Sequence, residues 1–370
     1  MTAKKKAQSK GPYRILTLDG GGIRGAMSIE ILAKIEAIAH KKGYESLADY
    51  FHYISGTSTG GIIATGLSLG WSVDTLRSFY EKHAESMFDK AFLLRQFRYK
   101  YDDDNLRNIL KKEIGNINLG SSKLKTLLML VMRNATTDSP WPISNNPFAK
   151  YNLKSRENRN TDIPLWQLVR ASTAAPTFFP PECVQVGDKE FIFVDGGVTS
   201  YNNPSFQTFL MATSEPYHLN WKTGVDNMLL VSVGTGSSPN ANKGLLPGDM
   251  NLLYNATTIP SALMFAAANE QDLLCRMFGR CLAGDPIDRE VGDMCASTDS
   301  LSNGPVENKL FTYMRYNAEL TDTGLQALGV KKLDARKMQT MDDAGNLAGL
   351  QKIGRAVASK RVKGSHFSGF

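Results

Sequence analysis

The sequence predicts an α/β protein whose mostly parallel central sheet is covered by helices, and three stretches carry that prediction. Arg14–Leu18 is a short apolar run that enters Asp19-Gly20-Gly21-Gly22-Ile23-Arg24-Gly25; in the following Ala26–Lys41, Met27, Ile31, Ile35 and Ile38 recur at helical spacing. Tyr50–Ser55 is a second strand, giving way through Gly56-Thr57-Ser58-Thr59-Gly60 to a small apolar helix over 61–70. Met228–Val233 is a third, ending in Gly234-Thr235-Gly236. Strand, tight glycine turn and helix in succession imply parallel strands joined by right-handed crossovers.

The other elements follow in chain order. Residues 1–11 are polar, basic and aperiodic, which predicts a disordered tail ahead of one domain over 12–330. Ser72 can cap a helix bearing Val73, Leu76, Phe79, His83 and Met87 near one face, and Asp104 or Asn105 can cap another bearing Leu106, Ile109, Leu110 and Ile114. Leu127–Met132 reads as a buried strand, 134–160 as a polar loop, and Pro164–Ala174 as a helix stopped by Pro176. Cys183–Val186 and Glu190–Val194 flank Gly187-Asp188-Lys189 as a hairpin whose second strand ends at Asp195-Gly196-Gly197. Ser261–Phe278 is an expected helix, open to a role as a lid, and Phe311–Tyr316 a late strand. Residues 331–370 form a basic helical segment expected to pack on the domain through Leu347, Leu350, Ile353 and Val357.

Composition narrows the class. With 370 residues and 42% apolar content the chain can bury a large core. Its longest apolar runs, such as Thr126–Met132, fall short of the roughly 18–20 residues that span a bilayer. Lys4, Lys5, Lys6 and Lys10 precede an apolar run too short for a secretion signal. Cys183, Cys275, Cys281 and Cys295 are widely spaced and suggest neither a disulfide framework nor a zinc site, so a cytoplasmic setting is expected. The net charge of +7 gathers at the ends: four lysines in residues 1–10, and nine Lys/Arg against three Asp in 331–370. Such ends are either solvated or drawn to an anionic membrane surface. A nucleic-acid polymer is not an expected partner, and a homo-oligomer is compatible with the sequence.

Ser58, at the apex of a strand-turn-helix with glycines on both flanks, is the candidate nucleophile of an elbow. Acyl transfer through a serine also needs donors for the tetrahedral oxyanion, and Gly20-Gly21-Gly22 at a helix start offers backbone amides. Gly20, Gly22 and Gly25 equally satisfy Gly-x-Gly-x-x-Gly, the pattern of a dinucleotide-binding loop. Against that stand Asp19, which would repel a pyrophosphate, and a second strand ending in Gly-Thr-Ser-Thr-Gly with no acidic residue for a ribose. For the base, only His218 and His366 follow Asp195, and neither lies in a convincing strand-end loop. Asp195 does, provided that desolvation raises its basicity.

Taken together, Asp19–Gly25, Gly56–Gly61, Ala171-Ser172-Thr173-Ala174-Ala175-Pro176 with Phe178–Pro181, Asp195-Gly196-Gly197 and Val231–Gly236 resemble the patatin-like phospholipases, in that family's order. The resemblance implies a three-layer α/β/α fold and a Ser-Asp dyad of Ser58 and Asp195, working without a metal or other cofactor. It implies an oxyanion hole at Gly20, Gly21 and Gly22, with the amide of Thr59 as a further donor. Arg24 would steady that loop or meet a lipid phosphate, and Gly25, Gly56, Gly60, Gly196 and Gly197 would support it. The implied reaction cleaves a carboxylic ester of a membrane phospholipid, releasing a fatty acid and a lysolipid, with the enzyme acting peripherally on the inner membrane face. The stretch Phe311–Asn317 and the compact layout further resemble bacterial effectors of anti-phage (CBASS) signalling, which a cyclic dinucleotide switches on. A constitutive soluble esterase without nucleotide control is the alternative.

Overall fold

The computed structural model describes residues 2–88, 105–176, 178–238, 246–288, 290–295 and 305–370. Nine strands form one sheet: β1 (Tyr13–Leu18), β2 (Tyr53–Thr57), β3 (Leu127–Asn134), β4 (Ser139–Ser144), β5 (Glu182–Val186), β6 (Lys189–Asp195), β7 (Met228–Val233), β8 (Arg280–Ala283) and β9 (Thr312–Tyr316). Their order is β5-β6-β3-β2-β1-β7-β9-β8, with β4 pairing β3 off this path. The pairs from β3 through β2, β1, β7 and β9 to β8 are parallel, and β4, β5 and β6 pair antiparallel.

The helices are α1 (Ala3–Ala7), α2 (Gly25–Lys41), α3 (Leu47–Tyr50), α4 (Thr59–Leu69), α5 (Val73–Phe88), α6 (Asn105–Ile114), α7 (Leu165–Ser172), α8 (Ser205–Thr213), α9 (Leu252–Phe278), α10 (Asp322–Ala327), α11 (Ala335–Gln339) and α12 (Leu347–Arg361). Alternate strand residues feed two cores. Leu16, Leu18, Leu128, Leu130 and Val231 pack with α2, α4, α7 and α12, while Ile15, Met129, Val131 and Leu230 pack with α8 and the end of α9. A sheet buried on both faces explains why its central strands read as unbroken apolar runs without polar alternation. The result is the α/β/α sandwich that the sequence implies.

Several expectations are corrected. Tyr50 closes the short helix α3, capped by Ser46 through its Oγ and the Asp49 amide, so β2 starts only at Tyr53 and runs through Gly56 and Thr57. The supposed loop 134–160 contains β4, which Pro140 and Pro142 disguise; they sit in the strand's register opposite Arg133 and Val131. Helix α9 begins at Leu252, well before the expected Ser261, and includes Pro260. The cap position Asp104 lies outside the described residues, whereas Asn105 opens α6. Two cysteines with unrelated spacing, Cys281 and Cys295, meet as thiols with their sulfurs 3.5 Å apart.

The expected disordered tail is ordered over 3–7 as α1, because Lys6 is buried. Its ammonium donates to the carbonyls of Ala48, Asp49 and Phe51 and so satisfies the open C-terminal end of α3. At the other end, Leu350, Ile353 and Val357 of α12 join the same core as the strands. A Cβ on Gly354 would lie 2.4 Å from the Met27 carbonyl oxygen, so α12 and α2 touch backbone to backbone. No helix among the described residues is long and apolar enough to cross a membrane.

Replacing Lys6 with methionine keeps the apolar stem but strands these carbonyls. Lys6→Met is expected to lower the unfolding free energy by about 1–3 kcal/mol, read from urea denaturation; an unchanged midpoint would mean that α1 contributes nothing to the fold.

Candidate active site

Strand β1 lies between β2 and β7, so the chain switches sides of the sheet there, and an α/β sheet opens a crevice at such a point beyond its strand ends. Three turns meet at it: Asp19–Arg24 after β1, Ser58 after β2, and Gly234–Gly236 after β7. Asp195, the last residue of β6, arrives from the antiparallel side, in register with Met132 of β3.

Ser58 has φ 54 and ψ −122, a backbone conformation that costs a residue with a side chain about 1–3 kcal/mol. Neighbouring bonds enforce it. The Ser58 amide donates to Ser172 Oγ at 3.0 Å, and that hydroxyl donates to the Val131 carbonyl at 2.6 Å, which ties the elbow to α7 and β3. Helix α4 starts at the next residue, so its positive end lies against Ser58. A Cβ on Gly60 would fall 2.3 Å from the Leu18 carbonyl oxygen, so only glycine lets the elbow helix lie across the end of β1.

Ser58 Oγ donates to Asp195 Oδ2 at 2.6 Å. The other carboxylate oxygen accepts the Gly197 amide at 2.6 Å, and the Asp195 amide is fixed by the Ala174 carbonyl at 2.9 Å. A Cβ on Gly196 would lie 2.3 Å from the Val131 carbonyl oxygen, so a side chain there would push the carboxylate away. Burial pushes the Asp195 pKa up to about 6, against the pull of the two hydrogen bonds and the field of Arg170. That cation is itself buried, over the ring of Phe179 at 5.2 Å and donating to the Pro180 carbonyl at 3.0 Å. Neither His218 nor His366 bonds to Ser58 or Asp195; the His366 ring meets the Tyr316 hydroxyl at 2.8 Å.

The glycine loop lies against the serine: a Cβ on Gly20 would be 3.4 Å from that of Ser58. The expectation that all three glycines offer free amides is corrected at Gly20, whose N–H donates to the Asn202 carbonyl at 3.1 Å. Among the described residues, the amides of Gly21, Gly22 and Thr59 have no acceptor. Thr59 is held by side-chain and carbonyl bonds with the Tyr80 hydroxyl, close to the start of α2 at Gly25. Gly56 lies within β2, against the Gly60 carbonyl. Arg24 braces the loop, its Nε donating to the Gly21 carbonyl at 3.3 Å and its Nη1 to the Gln339 carbonyl at 3.5 Å.

Further supports escaped sequence reasoning. Thr235 Oγ1 donates to the Gly20 carbonyl at 2.6 Å, and the Ile23 amide donates to the Met341 carbonyl at 3.0 Å. Arg315 on β9 donates to both oxygens of the buried Asp19, at 2.8 and 2.5 Å, and to Ser232 Oγ at 2.8 Å. Burial disfavours the Arg315 charge, but the Asp19 carboxylate outweighs it and the guanidinium pKa moves up. Asp19 is therefore neutralised from a strand that follows it by most of the chain. Ser172 and Thr235 lay in family-like motifs, and Arg315 in the Phe311–Asn317 stretch, that could have flagged them.

A family model described as patatin-like phospholipase matches residues 16–207, a span that holds the glycine loop, Ser58 and Asp195. The chain belongs to the patatin-like phospholipase family. A cGAMP-activated phospholipase from Vibrio cholerae is 33% identical over 247 residues, 61% of this chain and 65% of that protein, just under two thirds of its length. A cGAMP-activated phospholipase from Escherichia coli is 33% identical over 208 residues, 54% of this chain and 56% of that one. Patatin-like protein 1 of Arabidopsis thaliana is 28% identical over 393 aligned positions, covering 92% of this patatin-like chain and 86% of the plant protein.

The raised Asp195 pKa carries a stability cost. The folded protein holds that proton more tightly than the unfolded chain, so stability is lost as pH rises from 3.8 through about 6 and stays reduced above it. Asp195→Asn removes the charge while its amide oxygen can still accept the Gly197 N–H and its NH2 can donate to Ser58 Oγ. It is expected to raise the unfolding free energy by up to about 3 kcal/mol near pH 8 and by almost nothing near pH 4. Urea unfolding at the two pH values reads the difference; equal effects at both would refute the raised pKa.

Proposed function

We propose that this chain is a lipid acyl hydrolase that cleaves carboxylic esters of membrane phospholipids through an acyl-serine, with Ser58 as nucleophile and Asp195 as general base. The observation that carries the reading is the 2.6 Å bond from Ser58 Oγ to a buried carboxylate whose pKa stands near 6. A serine hydroxyl is a weak nucleophile until a base takes its proton, and Asp195 is both placed for this and more basic than an ordinary carboxylate.

As Oγ attacks the ester carbonyl, its proton passes to Asp195 Oδ2 and the carbonyl oxygen becomes an oxyanion. The amides of Gly21, Gly22 and Thr59 and the positive end of α4 are the donors that this reading assigns to it. Collapse expels the lysolipid alkoxide, which takes the proton from Asp195 and leaves the fatty acyl group on Ser58. Water then gives a proton to Asp195 and attacks the acyl-serine; the proton returns to Oγ as the fatty acid leaves. The residue after Gly197, Val198, is 41% exposed, and Ile259 and Leu263 on α9 are 49% and 65% exposed. These side chains, close to the Asp195 loop, support a substrate presented from a lipid surface. The cGAMP-activated relatives support a second element of the reading, control by a cyclic dinucleotide.

Ser58→Ala and Asp195→Asn are each expected to lower phospholipid turnover by about a thousandfold or more, with Ser58→Ala also abolishing fluorophosphonate labelling. His218→Ala and His366→Ala should retain it. Substantial residual activity in either dyad variant would sink the assignment. Because the base works ionised, kcat/KM should rise with pH through a midpoint near 6, and a midpoint near the ordinary carboxylate value would contradict the role of Asp195. Vesicle hydrolysis with and without cyclic GMP–AMP decides the control, and equal rates would rule it out.

A further inference from the structure

A cavity of about 930 Å³ opens beside the glycine loop, of a size that holds organic ligands. Its wall is drawn from the loop itself, the turn after β7, α9 and the α11–Met341 segment. Asp19 and Arg315 both line it, but each is committed to the other. That leaves two further guanidinium groups, Arg24 and Arg336, and neither forms a salt bridge with a carboxylate among the described residues. Asp334, close to Arg336 in sequence, uses its carboxylate to cap α11 through the amides of Arg336 and Lys337.

Two buried polar atoms at the cavity wall, Asn202 Oδ1 and Ser238 Oγ, have no partner among the described residues, and the whole Asn202 residue is only 5% exposed. A buried polar atom without a partner is costly, so both favour a ligand that completes their bonding. Met264 and Phe265 give the wall an apolar side, with polar residues such as Thr258, Ser261 and Asn269 between them and their neighbours. Two wall residues also abut the loop that holds Asp195: a Cβ on Gly197 would lie 3.2 Å from Asn202 Oδ1 and 3.4 Å from Met264 Cε, and the Gly197 amide donates to Asp195.

From these features we infer that Arg336, together with Arg24, binds a phosphodiester monoanion in this cavity, with the ligand's organic part against Met264 and Phe265. The inference rests on the hydrolase reading only for one of its two sources. A guanidinium fork suits two phosphate oxygens, and a cavity with a cationic end and an apolar wall suits an amphipathic ester of phosphate better than a bare ion. The phosphodiester can belong to the lipid being cleaved or to a cyclic dinucleotide.

Arg336 is exposed, which makes its substitution safe for folding, and circular dichroism checks this. The test uses the full chain as wild type, Arg336→Gln and Arg336→Lys. One arm compares kcat/KM for phosphatidylglycerol with that for a diacylglycerol of the same acyl chains. The other titrates cyclic GMP–AMP calorimetrically into the same three proteins carrying Ser58→Ala. If the lipid is the source, Arg336→Gln lowers the phospholipid-to-diacylglycerol ratio by about tenfold or more, the worth of one charge-assisted hydrogen bond, and Arg336→Lys recovers part of it. If the nucleotide is the source, the ratio stays and the Kd weakens by a similar factor. No change in either arm overturns the inference. Failure of wild type to cleave any lipid would sink the hydrolase reading instead and leave the titration to decide this one.

Discussion

The backbone of Ser58 is held where a side chain is unwelcome, and the surrounding structure is arranged to keep it there. Its positive φ aims Oγ out of the sheet toward the end of β6, and releasing that strain would swing the hydroxyl away from Asp195. Three separate elements hold it: Ser172 from α7, the β3 carbonyl of Val131 behind Ser172, and α4, whose first turn cannot shift without driving Gly60 into Leu18. Val131 is the common anchor, since Gly196 packs against the same carbonyl on the way out of Asp195. Ser58 and the Asp195 carboxylate thus share one point on β3, and their 2.6 Å separation follows from the rigidity of a central strand.

The molecule treats two buried aspartates at this crevice in opposite ways. Asp19 is given a guanidinium with two parallel hydrogen bonds, and its charge is silenced in a structural role beneath the glycine loop. Asp195 receives only a hydroxyl and an amide, with Arg170 acting through space; burial raises the proton affinity of both carboxylates, but Arg315 occupies both oxygens of Asp19 whereas one oxygen of Asp195 is turned to Ser58. The same residue type is a braced strut in one place and the partner of a serine hydroxyl in the other, and the number and charge of its neighbours set the difference.

What the sequence made legible follows from the range of the interactions. Strands β1, β3 and β7 were readable because burial on both faces leaves unbroken apolar runs, and Ser58 and Asp195 because their glycine neighbours mark close backbone approach. The engagement of the Gly20 amide by Asn202 was invisible, since a carbonyl acceptor leaves no residue-type signature. The partnership of Arg315 with Asp19 and the contact of Met341 with Ile23 join the two ends of the chain and produce no periodicity. Local signals also misled: prolines hid β4, and a run of lysines read as a tail concealed Lys6, which is buried because α3 ends without a cap of its own.

The clasp on the glycine loop also sets an order of events during synthesis. The loop leaves the ribosome well before Arg315, Gln339 and Met341, which clasp it; Arg315 follows Asp19 by 296 residues and Gln339 follows Arg24 by 315, so these pairings have very high contact order. Until those residues are made, Asp19 has no counter-ion and the turn at Ile23 has no acceptor. A nascent chain therefore carries Ser58 long before the glycine loop beside it is clasped, and that crevice stays unfinished until Arg315 and Met341 have been made.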